Sequence, residues 1–430
     1  MRLALAITLS VFLSGAAWAQ DYPPTPPPAA QLPQGASPSD LLPALIEHSR
    51  RTARIENGRL TGDGAVFLRA LGGQSQFVLI GEEHGNAGIA EFATAYWRDL
   101  SEEGYAYHAI ETDPWIAERL ERALRAGGVE AWTRYLQENG DVATAPFMTW
   151  AAEADLAAAA VASSGARRTP TLWGLDQTFI GASNLFLRDI AANARDPEAR
   201  RIATVLAEQA RGNLSWLGTS SPQQLADLRA RLNGRRDARY AELVDAMIVS
   251  QRIYQPFTGA GGEAYLANLE RETLMKRLFL ENYRAAERAD GAPPRVMFKF
   301  GASHMYRGAS QTHVPGLGGF VSEFAVQNGT SALSLYVACG PGGRTASLQG
   351  PAGTCDDGFA QRFGYLAPYI SADEITVIDL RPWRMRPGRW AHLPAQAQQL
   401  IDSFDVLVIV PNGAPSEFLP GLSMPSLPPS

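Results

Sequence analysis

Lysine is nearly missing from this sequence: of its 38 basic side chains only Lys276 and Lys299 are lysines, and the rest are arginines. Basic runs are missing too, and 44 acidic residues leave a net charge of −6. That balance argues against nucleic acid or an anionic membrane surface as the main partner. Beyond the first residues no apolar stretch reaches the roughly 18 residues that a membrane-spanning helix needs. There is no Gly-x-Ser-x-Gly elbow, so a serine nucleophile on a strand-to-helix turn is not expected. Neither His-Glu-x-x-His nor a cysteine-rich spacing occurs, so no metal is required, and no Gly-Lys-Ser/Thr opens a phosphate loop. What remains, 46% hydrophobic and 19% charged over 430 residues, is a globular chain. One this long buries about 75% of its unfolded surface and does not depend on disulfides for stability.

The chain opens with an address. Arg2, an apolar run from Leu3 to Leu13, and Ala17 and Ala19 together form a secretory signal with an A-x-A cleavage site over 1–19. No cysteine follows, so a lipid anchor is not expected; the protein is periplasmic or secreted. Residues 20–40 form a proline-rich linker and 411–430 a second proline-rich tail, neither with the composition to pack a core. The folded domain is therefore placed at 41–410. The only cysteines, Cys339 and Cys355, flank the Gly/Pro-rich segment GPGGRTASLQGPAGT. In an oxidising compartment they are expected to form a disulfide, worth about 3 kcal/mol for a loop of this size.

Short apolar runs at 77–81 (FVLIG), 107–111 (YHAIE), 171–176 (TLWGLD), 295–301 (RVMFKFG), 334–338 (SLYVA), 375–380 (ITVIDL) and 405–410 (DVLVIV) have the character of strands buried on both faces. Helical patterns at 87–103, 115–126 and 150–163 separate the first three, and a helical insertion of about 181–290 separates the third from the fourth. The fold class is α/β: a mainly parallel sheet flanked by helices, with the long insertion as a cap after the third strand.

Chemistry collects where these strands end. The first runs into Glu82, Glu83, His84, Gly85 and Asn86; the second ends in Glu111, Thr112 and Asp113; the third ends in Asp176 and Gln177; the fourth runs into Gly301, Ser303, His304 and Arg307. Ligands of parallel α/β sheets lie outside the carboxyl ends of the strands, so carboxylates and histidines from distant segments are delivered to one edge. Asp113, directly before Pro114, is equally placed to cap a helix. Ser303 reads as a turn residue, and His48, His108, His313 and His392 as packing or loop residues. A histidine at neutral pH is a natural general base, and a carboxylate on its other ring nitrogen fixes the tautomer. Arg271, Arg307 or backbone N–H groups of the Gly85–Asn86 turn are candidates for stabilising an oxyanion.

The segments FVLIGEEHGN, the strand ending in Glu111, WGLDQ and KFGASHMYRG, together with the NLERETLM segment around Arg271, resemble the erythromycin esterase/ChaN-like superfamily, to which Tiki-type proteins are related. Two departures stand out. The esterases space this Glu and His by three, whereas Glu82 and His84 are two apart, as in the ChaN-type haem-binding proteins. Those are lipoproteins, and this chain lacks the lipid-bearing cysteine. The resemblance implies either a hydrolase of carboxylic esters or lactones using activated water, or a periplasmic haem- or iron-binding protein without turnover. For the hydrolase the expected catalytic residues are His84, His304, Glu82, Glu111, Glu83, Asp176 and Arg271, with His84 or His304 as base. For haem the axial ligand is His84 or His304. A divalent metal, if bound, falls to Glu82, His84, Glu111 and His304. The partner is a small molecule, substrate or haem.

Overall fold

The structure, a computed structural model, describes residues 38–140, 143–165, 169–259, 261–347, 352–385 and 390–423. The expected signal and nearly all of the linker lie outside them. Eleven strands are present among these residues: β1 (Arg50–Glu56), β2 (Arg59–Thr61), β3 (Phe77–Glu82), β4 (Tyr107–Ile110), β5 (Leu172–Gly174), β6 (Val296–Gly301), β7 (Ala332–Cys339), β8 (Arg344–Thr345), β9 (Gly353–Thr354), β10 (Ile375–Asp379) and β11 (Val406–Val410). Nine form one sheet in the order β2-β1-β10-β11-β7-β3-β6-β4-β5, and β8 and β9 make a separate two-stranded ribbon.

From β11 through β5 every pairing is parallel, with β3 between β7 and β6 at the centre. These central strands are buried along their length because alternate side chains feed two cores. Phe77 and Leu79 of β3 join one core cluster and Val78 and Ile80 the other, the period-2 alternation of a pleated strand covered on both faces. The fold is thus the α/β sheet that the sequence implies. The three remaining strands, β10, β1 and β2, form an antiparallel edge. Strands β1 and β2 escaped the sequence reading because RRTARIE and RLT are short, charged and mostly solvent-facing.

The insertion after β5 is helical as expected, with helices Ala182–Asn193, Pro197–Ala210, Trp216–Thr219, Pro222–Arg231, Ala238–Tyr254 and Ala264–Asp290. Its last helix, however, is part of the sheet's cover rather than of a cap. Phe279 lies 5.8 Å from Phe77 and 5.7 Å from Phe298, ring to ring. This packing fixes the helix against β3 and β6, and with it the residues of its first turns.

A second difference concerns the proline-rich tail. Its described part, 411–423, is packed. Leu419 is 1% exposed, and Ser416, Ala414, Glu417 and Leu419 pair through their backbones with Gly85, Ala87, Ala151 and Thr149. The folded unit therefore extends past residue 410. Prolines here sit between the residues whose N–H groups donate, so they do not cost a hydrogen bond.

Cys339, at the end of β7, is bonded to Cys355, with Cα atoms 5.8 Å apart. The bond closes the segment carrying the β8–β9 ribbon. Alkylation of exported protein under denaturing, non-reducing conditions should label no cysteine; labelling of both would refute the bond.

Between the long helices of the insertion, residues 212–239 hold the four-residue helix Trp216–Thr219, Pro222–Arg231 and one 3-10 turn, Arg235–Asp237, before helix Ala238–Tyr254 begins. Limited proteolysis should cut there before it cuts between core strands, and a bound ligand should slow the cut. First cleavage between two strands of the sheet would contradict this layout.

Candidate active site

Four neighbouring strands, β3, β6, β4 and β5, end on one edge of the sheet and present the cluster there. Glu82 is the last residue of β3, and the turn after it carries His84. Gly85 completes that turn at φ 89°, in the left-handed region; a Cβ there would stand 2.3 Å from the Ala346 carbonyl of the ribbon. Asn86 then caps helix Ala87–Glu102, accepting from the Ile89 N–H, while its amide donates to the Arg344 and Gly413 carbonyls. The turn is thus clasped by the ribbon and by the packed tail.

The Glu82 carboxylate accepts from the His84 Nδ1 side at 2.8 Å and meets the Lys299 ammonium at 2.6 Å. Lys299 projects from β6 and is also paired with Glu153, at 2.5 Å, from helix Ala151–Ser163. The His84 ring stacks on Phe147 with centroids 4.1 Å apart. Its Nε2 lies 3.5 Å from Glu111 Oε2. A Cβ at position 301 would come within 2.5 Å of that nitrogen, so glycine at the end of β6 makes room for the ring.

Glu111, just past β4, is the hub. It accepts from the Gly301 N–H at 2.6 Å and from Arg271 at 3.1 Å, and its Oε1 is 3.4 Å from His304 Nε2. Arg271 binds Asp176 with two nitrogens, at 2.9 and 2.5 Å. His304 Nδ1 is 2.5 Å from Glu272 Oε1, whose other oxygen accepts from the Leu317 N–H. Arg271 and Glu272 come from consecutive positions in helix Ala264–Asp290, which the aromatic packing on β3 and β6 holds in phase.

Charge is shared out accordingly. Burial would raise the Glu111 pKa, but His304, His84 and Arg271 hold it well below the usual carboxylate range. Burial opposes protonation of His84, yet Glu111 and Glu82 raise its pKa above the ordinary value. For His304, burial and Arg271 oppose the charge, and Glu111 and Glu272 outweigh them, lifting the pKa to about 9. His304 is therefore an imidazolium at neutral pH. Only one of the two rings is open to solvent: the His84 side chain is 31% exposed and that of His304 8%.

The structure brings together six of the seven expected residues: Glu82, His84, Glu111, Asp176, Arg271 and His304. Glu83 is not among them. It faces the other side of the strand end, where it pairs with Arg362 and accepts from Tyr336 Oη at 3.0 Å and the Cys339 N–H at 3.2 Å. Arg307 is also elsewhere, gripping Asp405 and the Ala332 carbonyl, so it is no oxyanion donor. Asp113 caps helix Pro114–Asn139 through the Trp115 and Ile116 N–H groups, and burial pushes its pKa up to about 7. Ser303, expected in a turn, lies in the short helix Ala302–Met305 and accepts from exposed Gln311. His108, bonded to the Met297 carbonyl and lying against Trp97, is a packed residue whose burial lowers its pKa to about 4.

Lys299, Glu153, Glu272 and Phe147 were not anticipated. One signal existed for Lys299: a charge, and a rare lysine, inside the apolar run VMFKFG. The metal set Glu82, His84, Glu111 and His304 does not hold together as ligands, because Lys299 and Arg271 already occupy oxygens of its carboxylates. Among the described residues no group of three His, Cys, Asp or Glu is arranged to hold a metal ion. For haem, the Nδ1 atoms of both rings are engaged by Glu82 and Glu272, at 2.8 and 2.5 Å, so an axial bond to iron would fall to an Nε2.

No family model matches the chain, and no curated protein matches its sequence. Solved structures do match its fold. A mutant of the erythromycin esterase EreC in its open conformation superposes with a TM-score of 0.58 at 15% identity, over 86% of this chain and 99% of that one. A succinoglycan biosynthesis protein gives a TM-score of 0.55 at 14% identity, over 86% and 96%. A Bacillus cereus protein gives 0.51 at 14% identity, over 86% and 97%. This chain therefore shares its fold with these structures, an erythromycin esterase among them.

Proposed function

We propose that the protein is an exported hydrolase that cleaves a carboxylic ester or lactone with activated water, His84 being the general base. The observation that carries this reading is the state of the two rings. His84 is solvent-accessible and oriented through Nδ1 by a buried carboxylate, whereas His304 is buried and held charged. A histidine so oriented presents its Nε2 to a water in the cleft. The water gives His84 a proton as its oxygen bonds to the carbonyl carbon. The carbon–oxygen single bond then breaks, and the alkoxide takes the proton back from His84. The products are an acid and an alcohol, and the base is restored. The His304 imidazolium and the Arg271 guanidinium are the positive charges on offer to a developing oxyanion. Export rests on the leader read in the sequence and is compatible with the disulfide between Cys339 and Cys355.

Screening esters and lactones and then comparing variants tests the reading. His84→Gln should lower turnover by about 10²–10⁴-fold with little change in melting temperature, since the ring is partly exposed. His304→Gln should lower turnover and also destabilise the protein by about 1–3 kcal/mol, because it disturbs the pairing of buried Glu272. Turnover close to that of the parent in both variants would end the proposal.

The pH profile follows from the same charges. Imidazolium cannot accept a proton, so the rate should rise with pH as His84 deprotonates, at a midpoint above 6.5. It should fall again near pH 9 as His304 loses the charge that Glu111 and Glu272 sustain. A rate that stays flat from pH 5 to 10 in the chemical step would contradict the assignment.

A further inference from the structure

Each histidine of the cluster faces two carboxylates: His84 faces Glu82 and Glu111, and His304 faces Glu272 and Glu111. Glu111 is common to both, so the difference between the rings lies in what backs Glu82 and Glu272. Glu82 spends its second oxygen on the Lys299 ammonium, which Glu153 clamps from the other side. The side chains of these three are no more than 4% exposed. Glu272 spends its second oxygen on the Leu317 N–H at 2.7 Å, a dipole and not a full charge. Lys276, one turn along the same helix, donates to the Pro315 carbonyl instead.

We propose that Lys299, held by Glu153, is the positioning residue that selects His84 over His304 as the base. The ammonium offsets part of the charge of the carboxylate behind His84, so that ring releases its proton more readily than His304 does. The ring of His304, whose carboxylate Glu272 forms no ion pair with a lysine or arginine among the described residues, keeps its proton. The term base rests on the hydrolase reading above; the electrostatic selection is measurable without any turnover.

Several groups act on these rings, and their signs agree with the assignment. His84 meets Glu82 from β3, Glu111 from beyond β4, and Lys299 from β6 through Glu82, with Phe147 stacked on it. His304 meets Glu111, Glu272 and, through Glu111, Arg271, with Phe300 at its edge. The Lys299 charge opposes protonation of His84 and the Arg271 charge opposes that of His304, but Lys299 acts from the carboxylate on Nδ1, whereas Arg271 is held on Glu111, which both rings share. Stability gives little reason for the arrangement. A buried trio of two carboxylates and an ammonium costs several kcal/mol per ion to desolvate, and apolar side chains of similar volume are often as stable or more so.

The test is a side-chain NMR titration of the histidines in the full chain without substrate, with the His84 signal assigned by its loss in His84→Gln. In Lys299→Met the His84 midpoint should move up by about 1 pH unit, the direction expected when a nearby cation is removed. It should stay in place in Lys299→Arg, which keeps the charge. In Glu153→Gln it should move down, since the ammonium then serves Glu82 alone. A folded Lys299→Met protein with an unmoved midpoint overturns the proposal. If that variant does not fold, an unmoved midpoint in Glu153→Gln overturns it instead. Midpoints that move as expected without ester or lactone turnover would support the selection by Lys299 while removing the hydrolase reading.

Discussion

The Glu111 carboxylate is the point on which the site depends. It gathers two histidines, an arginine and a backbone N–H from β6, drawn from three segments far apart in sequence, Gly301 and His304 sharing one of them. Each partner alone is a group that burial would penalise. Together they are compensated, because one well-solvated charge has been replaced by a ring of fixed donors. The parallel sheet makes this possible: β3, β6 and β4 are hydrogen-bonded neighbours in register, so their last residues emerge side by side although long crossovers separate them.

Much of that was legible in the sequence because polar residues after apolar runs mark strand ends, and parallel strands share an edge. Glu82, His84, Glu111, Asp176 and His304 all follow from this one regularity. Glu83 shows where it fails. Two adjacent carboxylates at a strand end point to opposite sides, so only one can join the cluster, and the sequence pattern does not say which without the register. Glu272 was hidden for a related reason. Its position in the site depends on the phase of helix Ala264–Asp290, which Phe279 sets by packing on Phe77 and Phe298. Glu153 lies in an alanine-rich helix with no motif around it, and only its pairing with the scarce Lys299 gives it meaning.

The fold was read most reliably where both faces of a strand are buried, since only then is an apolar run nearly continuous. Polar edge strands such as β1 and β2 carry no such run. The segment after β11 was misjudged because prolines normally mark chain that cannot join a structure. Here their neighbours supply the backbone donors and acceptors, and Leu419 supplies the apolar anchor.

That packed segment ties the assembly of the site to the order in which the chain is made. The Asn86 amide donates to the Gly413 carbonyl across 327 residues, and the Gly85 carbonyl receives the Ser416 N–H. The turn carrying His84 is therefore among the first parts of the sheet to be synthesised and among the last to be closed. A ribosome-bound chain holds the histidine on an open turn, with no clasp to fix its neighbour Asn86. The turn reaches its clasped form only after nearly the whole polypeptide has been made.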